Sequence, residues 1–320
     1  MRLVFALCAC LFALQSNVAM SDPFPSRPVR FIVPNPPGGS NDAAARMLAQ
    51  ALSEMWHRPV VVENRAGAGG NIGAQAAAAS SPDGYTYLLS SPGPIAINSS
   101  LYKQLLFDPQ KDFVPIALVA TVPIVLMVNP KVPAATVKEL IALAKRENGK
   151  MNVASSGIGS THHLAAELFK KMAGVTLNHV PYRGAAPAMG DLVAGHVPIL
   201  FDNLPTVIPQ VQAGNVRALA VASPRRLPSL PDVPTFAEAG LEGFEASSWF
   251  GLLAPAGTPS GIVARVIGDV EKALNRPELQ KKFETTGAQV AAISGAKFAD
   301  FIKKETEKWA DVIKTSGASR

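Results

Sequence analysis

Apolar positions in this chain recur in two alternating periods. Short β-prone runs at 29–33, 60–62, 85–89, 152–155, 177–180, 198–201 and 218–222 predict strands. Between them, stretches with apolar residues three and four apart predict helices at 43–56, from about 71 to 79, 136–146, 162–172, 185–194 and 206–213. Strand and helix alternate throughout, which is the pattern of an α/β fold with largely parallel strands. Two apolar runs break the rhythm: 114–128, interrupted only at Pro123, and 249–254. Both are placed to cross between two α/β lobes, which makes the first lobe discontinuous in sequence. Pro259 opens a helix running through Leu274, and Ser294 caps a final helix with Phe298, Ile302, Trp309 and Ile313 on one face.

The turns that follow the strands carry the chemistry. After the first strand comes Pro34-Asn35-Pro36-Pro37-Gly38-Gly39-Ser40-Asn41-Asp42. Its prolines stop further pairing, its glycines allow a tight bend and a close backbone approach, and Ser40 is placed as an N-cap with Asp42 in the first turn. A helix N-terminus beside bare backbone is an anion site in outline, although an ordinary βα turn uses the same residues. Further polar, Gly-bearing loops follow at 63–73, 90–93 and 155–161. In open α/β sheets ligands bind at the carboxyl ends of strands, so these loops should converge. Asp202, at a strand end, either accepts from a ligand hydroxyl or ammonium or caps the next helix. Tyr182, Arg183 and His163 are further candidates, His163 with a local structural role as its alternative.

Composition narrows the setting. The chain has 320 residues, 48% hydrophobic and 17% charged, enough for two α/β domains. Met1-Arg2, the apolar run 3–14 and Ala19-Met20-Ser21 read as a secretory signal over residues 1–21. Both cysteines, Cys8 and Cys10, fall inside it, so the mature chain should hold neither a disulfide nor a thiolate metal site. The net charge is +6, and removal of the signal deletes only Arg2, leaving +5. Basic pairs are scattered without interleaved aromatics, so no nucleic-acid partner is expected.

Enzyme readings fit poorly. Gly67-Ala68-Gly69-Gly70-Asn71-Ile72-Gly73 lacks the third glycine of the dinucleotide fingerprint, and neither a nucleophile elbow nor a P-loop occurs. No histidine spacing suits a metal, and no cofactor is expected. A triad of Ser160 or Ser156 with His163 and Asp202 is the rival reading, that of an exported serine hydrolase.

The strings FPSRPVRFIVPNPPGGSNDAAARMLAQALSE, PVVVENRAGAGGNIGAQAAAASSPDGYT, SSGIGSTHHLAAELFKKMAGV, HVPYRGAAPAMGDLVAGHVPILFDNLP and LPDVPTFAEAGLEGFEASSWFGLLAPAGTP resemble the Bug family, periplasmic receptors of tripartite tricarboxylate transporters. The resemblance covers essentially the whole mature chain. It implies a two-lobed periplasmic binding protein (venus flytrap, type II) with two crossing hinge strands. The lobes would be residues 22–122 with 248–320, and 123–247. The receptor would close over a small organic carboxylate and deliver it to membrane permease subunits, as a monomer in the periplasm. A ligand sensor for a signalling partner would use the same closed form. Carried over residue by residue, the ligand site comprises Pro37, Gly38, Gly39, Ser40 and Asp42; Ser90 and Ser91; Ser156, Gly157, Gly159, Ser160 and His163; and Asp202. Asn35 departs from a usually aromatic position, and Pro94, Ile158 and His162 depart from usually small polar ones, which bears on ligand identity.

Overall fold

The computed structural model describes residues 24–316, so the predicted signal region lies outside the described residues. Strand β1 (Val29–Val33), helix α1 (Ser40–Trp56), strand β2 (Val60–Asn64), helix α2 (Asn71–Ala78) and strand β3 (Thr86–Ser90) form a parallel unit with β1 in the middle. Strand β1 is apolar and buried except at half-buried Arg30, as cover on both faces requires. Val29, Phe31 and Val33 pack with Ala45, Leu48 and Leu52 of α1, while Ile32 packs with Ala74 and Ala77 of α2.

After a π-helical turn (Gly93–Ile97) and a short helix α3 (Asn98–Leu101), strand β4 (Phe113–Val128) crosses the molecule. Its residues 113–123 pair antiparallel with β9 (Ser247–Pro255), and residues 124–128 pair with β7 (Ile199–Asn203). The change of partner falls at Pro123, which has no N–H to give to a ladder. The second half continues through α4 (Val137–Glu147), β5 (Asn152–Ser155), α5 (Thr161–Ala173), β6 (Asn178–Pro181), α6 (Ala185–Ala194), β7, α7 (Leu204–Gln212) and β8 (Arg217–Val221). Here β5 pairs parallel with both β6 and β7, and β8 pairs with β4. The chain returns along β9 to α8 (Ser260–Leu274), α9 (Pro277–Thr285), β10 (Gln289–Ser294) and α10 (Gly295–Ser316).

This is the expected α/β architecture of two lobes joined by β4 and β9, and most predicted elements lie within two residues of their observed ends. The π-helical turn, α3, α9 and β10 went unpredicted. Strand β10 has a mixed, half-exposed pattern, and its place is set by pairing with β4. Two expected caps differ. Gly39, not Ser40, is the N-cap of α1, and it has no side chain to cap with. Ser294 ends β10, and its hydroxyl donates to Glu271 Oε1. Thr136 does cap α4, accepting from Glu139 N at 3.2 Å.

Candidate functional site

A cleft of about 660 Å3 opens where the carboxyl ends of β1, β2, β3, β5, β6 and β7 meet. That volume falls within the ~300–1,000 Å3 span of small-ligand sites. Its walls are residues 34–37, 39–41, 66–70, 91, 93 and 102 from the first lobe, and 156–162, 181–187 and 203 from the second. Ser248 and Phe250 of β9 also line it. A second hollow, about 500 Å3, lies at the amino ends of β1 and β3. Its arginines are already engaged by carboxylates, Arg27 with Asp83 at 2.7 Å and Arg30 and Arg65 with Glu63 at 3.2 and 2.5 Å.

Four helices, α1, α5, α6 and α7, begin at the cleft wall, at Gly39, Ser160, Gly184 and Asn203. The first amides of a helix have no carbonyl partner within it, and the helix dipole places partial positive charge there. No Asp, Glu or Lys lies among the lining residues, while exposed Arg183 does. The cleft therefore favours an anion through backbone more than through fixed cations.

The first loop is held by side chains behind it. Asp42 is buried, and its carboxylate accepts from Gly38 N at 3.1 Å, Asn64 Nδ2 at 3.0 Å and Arg46 Nε at 3.0 Å. Burial opposes its ionisation most, but the hydrogen bonds from Arg46, Gly38 and Asn64 together hold its carboxyl below the usual range. Asn35 Oδ1 accepts from Asn41 Nδ2 at 2.7 Å and Ser91 Oγ at 3.2 Å, and its backbone carbonyl accepts from Asn64 Nδ2 at 3.0 Å. One residue thus ties together the ends of all three strands of the parallel unit.

In the second lobe, Ser160 caps α5 by accepting from His163 N at 3.1 Å, and its hydroxyl donates to Gly157 O at 2.7 Å. His163 faces away from the cleft. Its ring stacks on His179 with centroids 4.0 Å apart, and its Nδ1 accepts from Gly159 N at 3.4 Å. Burial, then His179 and Lys170, lowers its pKa to about 3, and burial with Lys170 lowers that of His179 to about 4. Both rings are neutral near pH 7. His162 points the other way: its Nδ1 is 2.7 Å from Ser156 Oγ, and its Nε2 is 3.4 Å from Asp202 Oδ1.

The lobes touch around the cleft. Asn203 Nδ2 donates to Ser40 Oγ at 2.6 Å. A methyl group on Gly93 would stand 3.0 Å from Gly159 O and 3.1 Å from Gly69 O, so these backbones are nearly in contact.

Of the residues named from sequence, Pro37, Gly39, Ser40, Ser91, Ser156, Gly157, Gly159 and Ser160 line the cleft. Gly38, Asp42, Ser90, His163 and Asp202 stand behind it. Ser90 Oγ donates to Ser91 O at 2.9 Å, and Asp202 is 1% exposed, accepting from its neighbour Asn203 N at 2.7 Å. The rival triad also changes membership, because the histidine joined to Ser156 and Asp202 is His162, not His163. Sequence reasoning did not select Asn41, Tyr102, Asn203, Ser248 or Phe250, which line the cleft. Asn203 follows the marked Asp202 and was within reach of the pattern; Ser248 and Phe250 sit on a crossing strand whose sequence signals only burial.

A family model described as "Tripartite tricarboxylate transporter family receptor" matches residues 44–318. Protein BugT of Bordetella pertussis is 41% identical over 299 residues, which cover 93% of this chain and 92% of BugT. Among solved structures, R. palustris Rpa4515 with adipate is 39% identical, with a TM-score of 0.89 over 92% of this chain and 98% of that one. MatC (Rpa3494) from Rhodopseudomonas palustris with bound malate is 33% identical, with a TM-score of 0.84 over 91% of this chain and 100% of that one.

Proposed function

The chain belongs to the tripartite tricarboxylate transporter receptor family, and from that premise we propose that it captures a small organic carboxylate between its lobes. The convergence of four helix N-termini on a cleft whose lining lacks carboxylates carries this reading. That adipate and malate accompany two similar structures supports the ligand class. The protein acts in the periplasm as a binding protein without covalent chemistry, and its lobes divide near residues 122/123 and 247/248. The ligand-bound, closed form is the one that membrane permease subunits engage.

The direct contacts are Pro37, Gly39, Ser40, Ser91, Ser156, Gly157, Gly159 and Ser160. Gly38, Asp42, Ser90, His163 and Asp202 contribute by holding those loops in place. Titration calorimetry against malate, adipate, citrate, an amino acid and an aromatic acid tests the class. Saturable binding of at least one carboxylate is expected. Tight binding of a neutral or cationic solute, with no acid bound, overturns it.

A further inference from the structure

The line of residues Ser156, His162 and Asp202 runs from the cleft wall into the second lobe, and the backbone N–H groups of the helix starts leave its side-chain chemistry unused. Ser156 lines the cleft, half-buried; His162 is 6% exposed and Asp202 1% exposed. Ser156 Oγ lies 2.7 Å from His162 Nδ1, and His162 Nε2 lies 3.4 Å from Asp202 Oδ1. Resting on the carboxylate reading, we propose that His162 is a proton-linked specificity residue: it gains a proton from solvent when a ligand carboxylate docks at Ser156.

The reason lies in what each ring nitrogen can do. With the neutral ring protonated at Nε2, toward Asp202, Nδ1 is an acceptor and takes the Ser156 O–H. Ser156 then offers only lone pairs to the cleft, the wrong polarity for a carboxylate. When a solvent proton adds to Nδ1, the new N–H donates to Ser156 Oγ. The Ser156 hydroxyl hydrogen is released to turn toward the ligand oxygen, and no covalent bond to the ligand forms or breaks.

Few charged groups surround His162. It is buried in the first turn of α5, and Asp202 faces it from β7. Burial raises the Asp202 carboxyl above its usual range, against the opposing pull of His162, so this counter-charge is itself poorly supported. On α5 itself, His163 turns to His179 of β6 and lies 3.7 Å from Glu167, which Lys170 holds at 2.8 Å. From the loop after β6, exposed Arg183 lines the same cleft. A bound carboxylate supplies the missing negative charge.

Calorimetry with malate and adipate at pH 7.5, in phosphate and in Tris, counts the protons exchanged through the difference in buffer ionisation heat. Uptake approaching one proton is expected, with affinity falling about tenfold per pH unit above the free-state transition, the slope for one linked proton. His162→Gln should abolish the uptake. Saturation with no uptake, or the same uptake in His162→Gln, overturns the proposal. Nitrogen NMR of histidine-labelled, ligand-free protein provides a second arm, expecting Nε2–H with Nδ1 bare at pH 8 and an Nδ1 shift change in Ser156→Ala. An Nδ1–H tautomer there also overturns it. Should neither malate nor adipate bind, the wider acid panel above decides the substrate class, and the tautomer of the free protein still decides whether the relay is built as stated.

Discussion

The hydrogen bond from Asn203 Nδ2 to Ser40 Oγ, 2.6 Å long, joins residues 163 positions apart and links the two lobes at the cleft. The Ser40 hydroxyl, expected as a helix cap, instead accepts from the opposite lobe. Ser40→Ala and Asn203→Ala should each weaken carboxylate binding by about 1 kcal/mol, roughly fivefold in Kd. Because they delete one bond, the double variant should lose little more than either alone. Full additivity in calorimetry would show that the bond plays no part in closure. Gly39 offers a separate test. Its φ of −84° suits any residue, and a Cβ there would meet only Pro36 O, at 3.8 Å. Gly39→Val should therefore fold with an unchanged melting temperature and bind at least tenfold more weakly, by blocking backbone approach; unchanged affinity would remove the first loop from the site.

At the scale of elements, the π-helical turn after β3 is the seam between lobes. Ile97 and Leu101 pack with Leu164 and Phe169 of α5, and Trp309 of α10 joins the same cluster, so first-lobe elements are seated on the second lobe. Helix α10 is fixed from the other side through Glu305, whose Oε2 accepts from Trp249 Nε1 at 2.9 Å and Trp309 Nε1 at 3.0 Å. Part of the seam is backbone close against backbone at Gly93, Gly69 and Gly159. Gly93→Ala puts a methyl group 3.0 Å from Gly159 O, and Gly93 itself needs no left-handed φ. The variant should wedge the seam, lowering affinity several-fold and raising the radius of gyration of the ligand-saturated protein in X-ray scattering. A closed form indistinguishable from the parent would contradict this.

Across the whole molecule, buried histidines make stability depend on pH. His163 and His179 have folded-state pKa values of about 3 and about 4, below the ordinary 6.5. The unfolded chain therefore binds more protons than the folded one below pH ~6.5, and stability falls as pH drops from there toward those values. The loss should reach a few kcal/mol by pH ~4.5, read as a falling urea midpoint. Asp42, held low, adds to the loss only near and below pH ~4. Asp202, held high, works in the opposite sense, gaining stability as pH falls through its raised value. His163→Asn should flatten the profile if it folds. A wild-type midpoint constant from pH 7.5 to 4.5 would contradict the neutral, buried state of the pair.

What the sequence determined by itself was local in origin. Period, proline and glycine placed β1, α1, β5, α5 and the two crossing strands, because these depend on neighbours within a few residues. The same local chemistry marked the loops at 34–42, 90–93 and 155–161 as polar strand ends, and all three do meet at one cleft. Tertiary structure decided which way each polar group faces. Asp42 and Asp202 look alike on paper as carboxylates beside helix starts, yet both are buried behind the wall, because Arg46 and Asn64 claim one and His162 and Asn203 the other. Of two adjacent histidines, His163 turns to His179 while His162 turns to Ser156, a choice made by β6 and β7 rather than by α5. Asn203 meets Ser40 only because β4 and β9 fold one lobe over the other, a contact that spans 163 residues and leaves no trace in any local pattern.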